Sequence, residues 1–209
     1  MKEKEQERIL NMSEFDEKFR EGKETVICGV DEAGRGPLAG DVYAAAVVLG
    51  EGTVIDGLND SKKLSPKKRE ALFDVIKEKA LYWAVGTASV EEIEKTDILS
   101  ANFLAMRRAI CALGVKCNLI LVDGNLKIRG LEDICVPVVK GDCLSESIAA
   151  ASVLAKVSRD RYMIEMAQRY PEYEFQTHKG YGTARHIELI RKYGPSEIHR
   201  LSFLKNILK

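Results

Sequence analysis

Residues 28–40 read Cys-Gly-Val-Asp-Glu-Ala-Gly-Arg-Gly-Pro-Leu-Ala-Gly, an apolar run that ends in two adjacent carboxylates and passes into a glycine-rich turn. Side chains on a strand alternate between faces, so Asp31 and Glu32 can address one ligand only where the strand ends and the backbone turns. Gly34 and Gly36 allow that turn and leave backbone N–H groups open to close approach by another backbone or a sugar. The plainer alternative is an acidic strand end followed by an ordinary glycine turn. Other segments must decide.

Outward from this stretch, short apolar runs at 25–31, 42–49, 81–88, 118–123 and 134–139 predict five strands. Helical patterns with recognisable ends lie between them. Ser65-Pro66 supplies a cap and a first helical residue, Ser89-Val-Glu-Glu92 is a capping box, and Gly114 closes the run 98–113. The longest helix is predicted over 144–170, stopped by Pro171, and a last one over 184–193. The fold class is α/β, with 25–49 and 81–88 forming a meander and the strand ending at Asp123 parallel to the first. Residues 1–24 mix Ile9, Leu10, Phe15 and Phe19 with charges and predict a helical or frayed arm outside a single domain over 25–209.

At 209 residues the chain can bury roughly 70% of its unfolded surface, enough for one core without staples. The 5 cysteines form no Cys-x-x-Cys pair and sit mostly in apolar runs, which suits reduced thiols in the cytoplasm. No apolar stretch reaches the roughly 18 residues of a membrane span, and the acidic start is unlike a targeting segment. Net charge is zero, but residues 1–24 hold 6 basic and 8 acidic residues, leaving 26 basic against 24 acidic elsewhere. A phosphate backbone responds to local patches, so this balance excludes little.

Two further carboxylates repeat the theme. Leu-Ile-Leu-Val-Asp123 is again an apolar strand that stops at an aspartate, and in open α/β sheets ligands gather at the carboxyl ends of strands. Asp142, in Val-Val-Lys-Gly-Asp-Cys-Leu-Ser, opens the long helical stretch, where an N-cap role competes with a ligand role. Four converging carboxylates would repel one another without cations, and oxygen-only ligation suits magnesium or manganese. The three histidines, His178, His186 and His199, lack the spacing of a zinc site. Two such ions about 3.5–4 Å apart could hydrolyse a phosphodiester.

In order and spacing, Gly-Val-Asp-Glu-Ala-Gly-Arg-Gly (29–36), Asn-Asp-Ser-Lys-Lys-Leu (59–64), Val-Asp-Gly (122–124), Val-Lys-Gly-Asp (139–142), Ala-Ala-Ala-Ser-Val-Leu-Ala-Lys (149–156), His-Lys-Gly-Tyr (178–181) and His-Arg-Leu-Ser-Phe (199–203) resemble bacterial ribonuclease HII. The resemblance covers about 25–205. It implies a ribonuclease H-like fold, a central mixed sheet flanked by helices with a helical C-terminal part, and endonucleolytic cleavage of RNA paired to DNA. It also implies Asp31, Glu32, Asp123 and Asp142 as catalytic, metal-binding carboxylates. Asp41 stands where the family often has proline, and Cys143 where serine is common; neither replaces an implied ligand. The related ribonuclease HIII carries a large additional amino-terminal domain and lacks the Gly-Arg-Gly turn, so HII is preferred.

The remaining blocks have readings of their own. Ser61, Lys62 and Lys63 precede a helix beginning Ser-Pro-Lys-Lys-Arg (65–69), a concentration of cations that fits either a duplex-binding face or a solvated helix; Lys62 is the candidate phosphate contact. Tyr181 offers a ring and a hydroxyl to a sugar, or packs half-buried; the resemblance favours the first. Gly34, Arg35 and Gly36 would read the 2′-hydroxyl through backbone groups. His199 and Arg200 receive no role. The expected activity is two-metal hydrolysis of RNA/DNA hybrids and cleavage 5′ of single ribonucleotides in duplex DNA, by a monomer, as in ribonucleotide removal. The alternatives are an HIII-like hybrid nuclease without junction activity, a phosphotransferase of the same fold, which would need a duplicated domain, and a non-catalytic nucleic-acid module, which would need no four-carboxylate set.

Overall fold

The computed structural model describes residues 2–22 and 24–208. Helix α1 (Lys2–Glu17) leads into β1 (Ile27–Ala33) and β2 (Val42–Val48), then helix α2 (Pro66–Lys79) and β3 (Tyr82–Ala88). Helices α3 (Val90–Lys95) and α4 (Ile98–Ala112) precede β4 (Leu119–Asp123) and β5 (Cys135–Val138). Helices α5 (Gly141–Leu144), α6 (Glu146–Arg169), α7 (Phe175–His178) and α8 (Ala184–Tyr193) complete the order. All five strands fall on the apolar runs, but β1 continues two residues past its expected end, through Glu32 to Ala33, because it stays paired with β2. The caps are formed as well: Ser65 Oγ accepts from Lys68 N, and Ser89 and Glu92 make the reciprocal box.

The sheet order is β3-β2-β1-β4-β5. Strands β1, β2 and β3 form an antiparallel meander, whereas β4 runs parallel to β1 and β5 parallel to β4. This is the mixed, helix-flanked sheet that the resemblance implies. Strand β2 is buried on both faces: Ala44 and Ala46 join the core under α4, while Ala45 and Val47 join the core under α6. Its small side chains let both helices lie close. The start of α6 crosses β1 so tightly that a Cβ on Gly29 would stand 2.2 Å from the backbone carbon of Ser147.

Two further elements differ from the sequence expectation. The long helix expected over 144–170 forms as α6, Glu146–Arg169, and starts two residues later than expected because Ser145 is extended (φ −109°, ψ 131°) and caps it by accepting from Ile148 N, with the short α5 as a separate turn before it. Helix α1 is docked on the domain. Ile9 and Met12 are buried, Phe15 and Phe19 pack near Ile27, Leu121 and Ile148, and Asp16 Oδ2 accepts from Ser147 N at 2.8 Å in the first turn of α6. That places an anion at the positive end of a helix dipole. Among the described residues no helix is long and apolar enough to cross a membrane.

Candidate active site

The parallel register sets Val30 beside Val122, which puts Asp31 and Asp123 next to each other at the carboxyl ends of the two central strands. Asp31 is buried, and its Oδ1 accepts from the N–H of Glu32 at 2.7 Å. Glu32, on the opposite face of β1, is half-buried and takes Arg35 Nη1 at 3.2 Å. Asp142 is buried in the first turn of α5, and its N–H donates to Asp123 Oδ1 at 3.3 Å. The structure thus brings Asp31, Glu32 and Asp123 to one cleft and ties Asp142 to Asp123, while the ligand atoms of Asp142 cluster closely with those of Asp60 and Cys143. The N-cap alternative for Asp142 is not what forms, because Ser145 caps the long helix.

The electrostatics follow from crowding. Burial, then the charges of Glu32 and Asp123, pushes the Asp31 carboxyl well above its ordinary range, against a hydrogen bond from Ser152. Burial also raises Glu32, with Arg35 opposing and Asp123 adding to the rise. Asp142 is raised by burial and by Asp123 and Asp60. Lys62 answers them. Burial opposes its charge, but Asp142, Asp31, Asp60 and Asp123 outweigh burial and raise it, and Lys62 Nζ lies 3.7 Å from Asp142 Oδ2 with most of its side chain in solvent.

Asp31, Glu32 and Asp123 line an open cleft whose other walls include the turn 34–36, Lys62 and Tyr181. Gly34 has φ +101°, and a Cβ there would meet the Arg159 guanidinium. Gly36 has open space around its Cβ position, so a ligand can come close to its backbone. Tyr181 is 41% exposed, with Lys156 Nζ 5.7 Å and Arg159 Cζ 5.8 Å from its ring centre.

Several residues that the sequence left without a role shape this cleft. The loop bearing Lys62 is held by Ser61 Oγ against Ser152 Oγ at 2.8 Å, and by Arg69 Nη1, which donates to the carbonyls of Ser61 and Leu64. Arg69 is therefore an anchor, unlike its exposed neighbours Lys67 and Lys68. Leu38 N donates to Gly180 O, Gly40 N to Ile198 O and Arg200 N to Leu38 O, which interlocks the turn with the blocks around 180 and 200. Beneath Tyr181 two of the three histidines form one hydrogen-bonded chain, and the third, His178, stacks on His186 with ring centres 4.1 Å apart. Ser196 N donates to His199 Nδ1, His199 and His186 join through their Nε2 atoms at 3.1 Å, and His186 Nδ1 donates to Tyr181 O at 2.9 Å. Burial holds His186 and His199 down to about 4, so both are neutral and their tautomers are fixed by their partners. Buried, chain-distant partners of this kind leave no local periodicity to read.

Residues 28–206 match the family model described as ribonuclease HII. A ribonuclease HII from Caldicellulosiruptor bescii is 52% identical over 198 residues, covering 95% of this chain and 96% of that one. The crystal structure of ribonuclease H2 from Pyrococcus horikoshii superposes with a TM-score of 0.74 at 27% identity, over 88% of this chain and 97% of that one. The ribonuclease HII in the PCNA complex from Archaeoglobus fulgidus superposes at 0.71 with 26% identity, over 84% and 94%.

Proposed function

Because the chain belongs to the ribonuclease HII family, an endoribonuclease H hydrolase of RNA/DNA hybrids, we propose that its carboxylate cleft also cuts duplex DNA on the 5′ side of a single ribonucleotide. In this reading Asp31, Glu32, Asp123 and Asp142 hold two divalent ions, magnesium or manganese, and the products carry 5′-phosphate and 3′-hydroxyl ends. The observation that carries it is the meeting of β1 and β4, which sets the carboxylates opposite a glycine turn and an exposed tyrosine.

The donor set fits hard cations. It is all oxygen, and Asp31, Glu32 and Asp142 are each raised by burial and by their neighbours, so the cluster resists its own charge until cations offset it. When bound, such ions would supply Lewis-acid activation of water and charge neutralisation at the leaving oxygen. The chain's own residues bind and orient. The turn 34–36 offers backbone N–H groups to a 2′-hydroxyl, Tyr181 offers its ring to the neighbouring sugar, and exposed Lys62 meets a phosphate. These contacts address sugar and backbone, so cutting depends on the sugar and little on the base, as removal of ribonucleotides from DNA requires.

An end-labelled DNA duplex with one central ribonucleotide, incubated with enzyme and magnesium, tests the reading. The expected product is a single cut 5′ of the ribonucleotide, with all-DNA duplex untouched. Cutting confined to long RNA tracts would overturn it.

A further inference from the structure

Arg200 is completely buried, and each of its hydrogen bonds goes to a backbone carbonyl of the turn. Nε and Nη2 donate to Gly40 O at 2.9 and 2.6 Å, Nη2 also to Gly34 O at 2.7 Å, and Nη1 to Arg35 O at 3.0 Å and Pro37 O at 2.9 Å. A guanidinium has five N–H groups, so its donor capacity is filled. The partner residues lie 160 to 166 positions away in the chain. Arg159, also completely buried, holds the far side of the loop through Asp41 O, Ala39 O and Lys179 O.

This arrangement dictates where the amides point. In a planar trans peptide the C=O of one residue and the N–H of the next face opposite ways, and among the described residues no peptide bond is cis. With the carbonyls of Gly34 and Arg35 drawn inward to Arg200, the N–H groups of Arg35 and Gly36 turn outward. Both residues are exposed and line the cleft. Among the described residues none accepts a hydrogen bond from either N–H.

The geometry points to Arg200 as the positioning residue for sugar discrimination: it holds the Gly34 and Arg35 carbonyls inward so that the amides of Arg35 and Gly36 face the 2′-hydroxyl of the ribonucleotide. The inference rests on the proposed reading of a single ribonucleotide and adds the group that makes the turn selective. Lysine cannot replace this function. Its single ammonium carries three donors at one point and cannot span carbonyls from four residues, whereas the planar fork of arginine can.

The test compares wild type with Arg200→Lys. Affinity is measured by fluorescence anisotropy, with calcium in place of a supporting metal, for a DNA duplex with one ribonucleotide and for the same duplex as all DNA. Wild type should prefer the ribonucleotide duplex. Arg200→Lys should keep its all-DNA affinity within about twofold and lose on the order of tenfold in preference, about one strong hydrogen bond's worth. A merely structural role would weaken both duplexes together or lower the folded fraction, and either result in place of the selective loss, like an unchanged preference in folded Arg200→Lys, would overturn the inference. Amide exchange in wild type gives an arm that does not depend on the variant folding. The Arg35 and Gly36 amides should gain protection on the ribonucleotide duplex and not on all-DNA, and equal exchange on both overturns the inference as well. A wild type without any preference or junction cleavage instead removes the underlying reading, which the wild-type arm alone reveals.

Discussion

The backbone N–H of Asp142 donates to Oδ1 of Asp123, which ties the first turn of α5 to the end of β4 and fixes two carboxylates of the cleft to each other. The same two residues share a second relationship, since the charge of Asp123 raises the Asp142 carboxyl after burial has already done so. Position and electrostatics are therefore set together.

Asp123→Asn should reduce cleavage of a hybrid by on the order of a thousandfold or more, because it removes charge that cations require while leaving the basic surface in place. Filter binding beside a gel assay separates the two effects, with binding expected to stay near wild type. Glu32→Gln should behave likewise. Near-normal turnover of Asp123→Asn in magnesium would take Asp123 out of the site.

Activity should require magnesium or manganese, disappear with a chelator and return on re-addition of either ion. Zinc alone should not restore it fully, since the clustered donors in the cleft are carboxylates. All five cysteines are free thiols, so strong reductant should leave the rate unchanged. Rates in dialysed buffer, titrated with each metal, supply the measurement.

Tyr181→Ala should lower cleavage of the single-ribonucleotide duplex by on the order of a hundredfold, as misplacement of the scissile phosphate would. The metal ligands remain, so divalent-ion affinity should be retained. Calorimetric titration with manganese alongside the cleavage assay checks both halves.

Stability should depend on pH through Glu146. Burial pushes this carboxyl from an ordinary value of 4.5 up to about 7, with Asp16 adding to the rise. The folded state then holds the proton more tightly than the unfolded state, so stability falls as pH rises from about 4.5 to 7 and stays lowered above. Glu146 Oε1 accepts from Ile55 N, and a glutamine can do the same while its amide carries no charge. Glu146→Gln should therefore flatten the profile between pH 5 and 7 and add up to roughly 2–3 kcal/mol at pH 8. Urea melts at several pH values measure it; parallel profiles for both proteins would contradict it.

Much of the fold was legible because its signals are local. The apolar runs of all five strands, the Ser89 box and helix α8 are each written within a dozen residues. Asp123 was legible as an aspartate at a strand end; Asp31 stands two residues before the end of β1, beyond its last pairing with β4, and the parallel register brings the two together. The short helix α5 was hidden because its N-cap, Lys140, makes no side-chain cap bond that would mark a helix start. Arg200 and His199 were hidden more deeply. A charged residue in His-Arg-Leu-Ser-Phe looks solvent-exposed, and only carbonyls 160 or more positions upstream explain its complete burial. Asp16 was obscured in a segment of mostly charged residues, where nothing marks one acid as the partner of a distant helix end.

The interlock of the turn with residues 198–200 has a consequence for the timing of synthesis. Loop closure over so long a separation comes late, after the more local contacts are made. A nascent chain that has left the ribosome only as far as α6 already contains every carboxylate of the cleft, yet the Gly34–Gly40 carbonyls still lack the arginine that orders them. On the proposed reading, such a chain would carry the four carboxylates before it could tell ribose from deoxyribose, and discrimination would wait for the segment around Arg200.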